Sequence, residues 1–93
     1  MTTTQETFEK YVSELTTALC DTGLVVDRPA EDIGNGFVTT LDCHHMVSVR
    51  VRVDPREGIL VEAGDLWFDR HVLVPFIAGE IVGLVIEKIE KAS

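Results

Sequence analysis

The chain predicts an α+β fold: an N-terminal helix, a four-stranded antiparallel meander and a C-terminal helix, with both helices packed on one sheet face. Three observations carry this. Apolar residues recur at helical spacing after Phe8 and again after Pro75. Between them, Val47, Val49, Val51 and Val53 alternate with Ser48, Arg50, Arg52 and Asp54, the period of a half-buried strand. The flanking apolar segments are joined by short stretches with turn chemistry, which favours neighbouring antiparallel strands and leaves one sheet face for the helices.

The first helix begins at Thr3-Thr4-Gln5-Glu6, a capping-box pattern in which the threonine and glutamate satisfy exposed backbone amides. Phe8, Val12, Leu15 and Leu19 form its apolar stripe, with Tyr11 and Ala18 alongside. Gly23 supplies a left-handed stop. Leu24 to Asp27 is a brief strand, and Pro29 opens a polar loop to Gly36. Phe37 to Leu41 is the second strand, Asp42 to His45 a hairpin turn, and the valine run the third strand. Asp54 to Gly58 turns the chain into Ile59 to Ala63. The connector Asp65-Leu66-Trp67-Phe68-Asp69 fits either an edge strand or an ordered loop. From Pro75 a second helix turns Ala78, Ile81, Val82, Val85 and Ile89 to one face and Glu80, Glu87, Glu90 and Lys91 to the other.

Composition narrows the function. At 93 residues, the chain 1–93 is one domain, since too little would remain for a second core. Sixteen acidic groups oppose eight basic ones, giving a formal charge of −8 that repels a phosphate backbone, so no direct nucleic-acid partner is expected. The acidity is uneven: residues 1 to 23 and 54 to 70 each carry −3, against −1 for each remaining segment. The apolar run Val72 to Ile86 is too short to span a bilayer and contains Pro75 and Glu80. Two cysteines make no disulfide framework, and the first residues lack the pattern of a secretion signal, so a cytoplasmic protein is expected.

Candidate chemistry is sparse. Cys43-His44-His45 is the densest group of potential metal ligands, with Cys20 and His71 elsewhere, but none of the familiar zinc spacings occurs. Adjacent histidines in extended backbone diverge, so no metal or cofactor is expected, and a metal- or redox-sensing protein built on Cys43, His44 and His45 stands as an alternative. Catalysis is not expected, because no anion cradle, nucleophile elbow or metal-binding helix motif accompanies these residues. Arg50 and Arg52 share the non-valine face of the third strand, where they could grip a phosphate or carboxylate or pair with Glu62. Trp67 and Phe68 form an aromatic pair bracketed by Asp65 and Asp69, the composition of a binding hot spot with an acidic rim. Gly79 and Gly83 are costly in a helix, so something approaches its backbone, either the protein's own first helix or sheet or the same helix of a second copy. Phe76, Leu84 and Ile86 widen the apolar surface there and favour a homodimer through Gly79, Gly83 and Leu84.

The expected function is therefore a non-catalytic acidic protein-binding module, an inhibitor, immunity-type protein or chaperone-like adaptor that occupies a basic partner surface. Glu9, Glu14, Asp65, Trp67, Phe68 and Asp69 are its candidate contacts. A DNA-mimic inhibitor of a nucleic-acid-binding protein is an alternative, although Arg50, Arg52, Arg56 and Arg70 interrupt any long acidic strip. The order of elements and the acidity resemble those of small α+β secretion chaperones, a likeness of topology that rests on no motif and assigns no site residue.

Overall fold

Helix α1 (Thr4–Asp21) precedes strands β1 (Val26–Asp27), β2 (Val38–Cys43), β3 (Val47–Asp54), β4 (Gly58–Ala63) and β5 (Leu66–Asp69), and helix α2 (Val74–Ala92) closes the chain. These elements come from a computed structural model, which describes residues 4–28, 38–54, 56 and 58–92. Thr3 of the capping box and the polar loop from Pro29 to Gly36 lie outside them.

The five strands form one antiparallel sheet in chain order. This corrects the expected four: the connector around Trp67 is β5, entered through a turn in which Gly64 has φ 60°. Strand β2 also runs on to Cys43, which pairs with Val26 on one side and Val47 on the other, so the following turn is His44 to Met46.

Register and alternation place Leu41, Cys43, Val47, Val49, Val51, Ile59, Val61, Ala63 and Phe68 on one face, all buried. Both helices cover that face and pack on one another and on β3. α1 contributes Phe8, Val12, Leu15 and Leu19, as its spacing predicts, and α2 contributes Ile77, Ala78, Ile81 and Val85. Ile89 is largely exposed. Gly23, at φ 93°, ends α1 with its amide donating to the Cys20 carbonyl.

One polar device joins α1 to the sheet. Thr39 is the buried polar residue of the covered face, and its hydroxyl accepts a hydrogen bond from Arg28 Nε at 2.9 Å. The same guanidinium donates two bonds to Glu9, at 3.0 and 3.1 Å. That hydrogen bond holds the Glu9 carboxyl below the usual carboxylate range.

Candidate functional site

Among the described residues, no helix covers the far face of the sheet. Alternation turns Thr40 and Asp42 of β2, Ser48, Arg50 and Arg52 of β3, Leu60 and Glu62 of β4, and Trp67 and Asp69 of β5 toward it. Trp67 is 65 % exposed there, whereas Phe68, one residue on, points the other way into the core and is 8 % exposed. The aromatic pair expected to act together is therefore divided between the two faces.

Four residues stand in register across the uncovered face: Thr40 opposite Arg50, Arg50 opposite Glu62, and Glu62 opposite Trp67. Glu62 nevertheless turns to Arg52, accepting from its Nε at 2.8 Å, while Asp54 lies 3.5 Å from the same guanidinium. Leu60 is only 7 % exposed despite lying on the open face. Arg52, Leu60, Glu62, Asp65 and Trp67 line a shallow cleft of about 390 Å³.

Of the other predicted contacts, the two flanking aspartates stay near this patch. Asp65 and Asp69 flank Trp67, Asp65 exposed in the turn and Asp69 accepting the His71 amide at 2.8 Å. Glu9 and Glu14 lie on α1, in the layer behind the sheet, and Glu9 is committed to Arg28. Phe68 lies in the core and Glu9 is engaged by Arg28, so both leave the predicted set, while Trp67, Asp65 and Asp69 remain together.

The Cys43-His44-His45 segment is likewise dispersed. Cys43 is fully buried on the covered face, and burial pushes its thiol up to about 11, the opposite of nucleophile activation. His44 and His45 occupy the turn with φ of 54° and 57°, the left-handed pair that a tight hairpin requires. The His44 ring accepts the Val25 amide at 2.9 Å, and its own amide donates to the Val25 carbonyl at 2.8 Å. His45 instead lies 2.9 Å from Asp42 and 3.6 Å from Asp27. Among the described residues, no three histidine, cysteine or acidic side chains are grouped to hold a metal ion.

On α2, Gly79 and Gly83 face open space: a Cβ built on either meets nothing within 4 Å. The expected close approach of the protein's own first helix or sheet is absent at these positions. At 100° per residue, they share the outward side of α2 with Phe76, 58 % exposed, and Ile86, 50 % exposed. Leu84 lies on another side, half-buried, lining a cleft with Gly64 and Lys88. It therefore leaves the predicted glycine surface, and Phe76 and Ile86 take its place.

No protein-family model, curated protein or solved structure matches this chain. Among the described residues, no helix is long and apolar enough to cross a membrane.

Proposed function

We propose that the chain is a non-catalytic protein-binding module that takes its partner on the uncovered face of the sheet, with Trp67 as the anchor. The observation that carries this reading is the exposure of Trp67 on a flat strand surface beside the cleft over Leu60. A tryptophan there contributes a large, rigid apolar contact that folding leaves unused. Asp65 and Asp69 supply the polar rim, and the net charge of −8 favours encounter with a partner of basic overall character. Such a module acts as an adaptor or inhibitor by occupying its partner's surface.

Affinity capture from the source cell, compared by quantitative mass spectrometry between wild type and Trp67→Ala, tests it. The reading expects a partner that wild type retains and the variant loses, with the variant's thermal midpoint unchanged. Identical partner sets from the two proteins contradict it.

A second copy is the further partner we propose, placed on the outward side of α2. Phe76, Gly79, Gly83 and Ile86 support it as an exposed apolar stripe whose glycines admit close backbone approach. In an antiparallel pairing centred between the glycines, Phe76 meets Ile86 of the second copy and Gly79 meets Gly83. Glu80 and Glu87 then avoid their own counterparts, which a parallel pairing would bring together. Sedimentation of wild type against Gly79→Leu with Gly83→Leu reads the outcome: a dimer that the variant loses supports the pairing, and a wild-type monomer at high concentration refutes it.

A further inference from the structure

The acidic chain keeps a cation unpaired on its binding face. Arg50 is exposed in the middle of β3, and no carboxylate among the described residues pairs with it. The two acids that register brings nearest are both engaged elsewhere. Glu62, directly opposite, bonds Arg52, and Asp42, diagonal on β2, bonds the His45 ring. A guanidinium so placed offers its full fork of donors to a group arriving from outside.

Trp67 stands two strands away in the same cross-strand row, roughly 10 Å along the sheet at the usual strand spacing. Between them the Arg52–Glu62 pair is internally neutral, and the cleft over Leu60 opens beside Trp67. The face thus presents an apolar point and a cationic point at a fixed separation.

We infer that the partner segment is an extended peptide laid across the strands, placing an apolar side chain against Trp67 and a carboxylate on Arg50. At the reach of an extended chain, the two side chains are roughly two to four residues apart. The local preference is therefore for an acidic side chain, although the protein's overall charge favours a basic partner. A polyanion does not fit, because Arg50 is the one arginine of this face without a carboxylate partner among the described residues, and Asp65 and Asp69 flank Trp67 and repel a run of phosphates. This inference rests on the uncovered face being the binding surface and names the chemistry that surface selects.

Trp67 is the single tryptophan of the chain, so its fluorescence reports the site directly. The probes are short, acetylated and amidated Ser/Thr peptides bearing one Leu and, at each spacing in that range, one Asp, Asn or Lys. With wild type, the Asp peptide of the matching spacing is expected to bind about tenfold more tightly than its Asn counterpart, the size of one charge-assisted bond. Arg50→Gln should bring the two to equal affinity, and Arg50→Glu should transfer the preference to the Lys peptide. Equal binding of Asp and Asn peptides by wild type overturns the role of Arg50 while leaving the face as a binding surface. Retention of the Asp preference in Arg50→Gln overturns it equally. Absence of a Trp67 response to every peptide overturns the inferred peptide class, and the capture comparison with Trp67→Ala still decides separately whether the face binds a protein.

Discussion

The two faces of one sheet are built from alternate residues of the same strands, and they differ in what covers them. On β3, Val47, Val49 and Val51 are buried beneath the helices, while Ser48, Arg50 and Arg52 look outward, where no described element covers them. The covered face gains stability from apolar burial and from the hydrogen bonds of Arg28 to Thr39 and Glu9. The open face buries little beyond Leu60, and its tryptophan and its unpaired arginine stand exposed. Groups that do not stabilise a small domain are available for recognition. The contrast teaches that function is read here from what the fold leaves unpaired.

The contrast is broken most severely by truncation. Leu41→Ala or Phe8→Ala, both fully buried, is expected to cost about 3 to 5 kcal/mol in chemical denaturation, whereas Trp67→Ala should stay within about 0.5 kcal/mol of wild type. A large loss in Trp67→Ala would make the tryptophan structural and remove the asymmetry between the faces.

The polar device of the covered face comes next. Arg28→Met leaves the buried Thr39 hydroxyl without its donor and should cost about 1 to 2 kcal/mol at neutral pH. Because Arg28 lowers the Glu9 pKa below 4.5, the Glu9 part of this stabilisation is complete above that pH and is lost as pH falls through the folded value. The gap between wild type and Arg28→Met should therefore narrow in acid; a gap that widens below pH 4.5 would contradict the assignment.

The same contrast holds within α2. Gly79→Ala and Gly83→Ala on its outward side should each raise the thermal stability of the monomer, by up to about 1 kcal/mol, since the added methyl meets nothing and alanine favours the helix. Destabilisation would show that a part of the chain does approach there.

The smallest effect is chemical. Cys20, exposed on α1, should react with a thiol reagent at mild pH, and Cys43, buried with its thiol pushed up to about 11, should react only as the protein opens. Equal rates would place Cys43 outside the core.

The architecture was largely legible from periodicity, because the α1 stripe and the valine run obey patterns set by burial. β5 was hidden: Leu66, Trp67 and Phe68 are all apolar, so nothing in that run alternates, and only the register with β4 reveals that Trp67 faces outward. Residue types alone also joined to that patch Phe68, which the core buries, and Glu9, which Arg28 engages. The role of Gly79 and Gly83 depended on whether another element reached them, which helical spacing does not report. Arg50 differs from Arg52 through the orientation of Glu62, a choice between two neighbouring cations on the same face, and through the Asp54 carboxylate beside Arg52.

Site-specific photo-crosslinking in the source cell tests the central claim most directly, with a benzophenone side chain placed at Ser48 on the uncovered face or at Glu14 on the outside of α1. Both positions are exposed, so both variants should fold. The account predicts a covalent adduct with a partner protein from position 48 that is lost when Trp67→Ala is added, and no such adduct from position 14. The same adduct from position 14 alone would put the partner on the helices and contradict it.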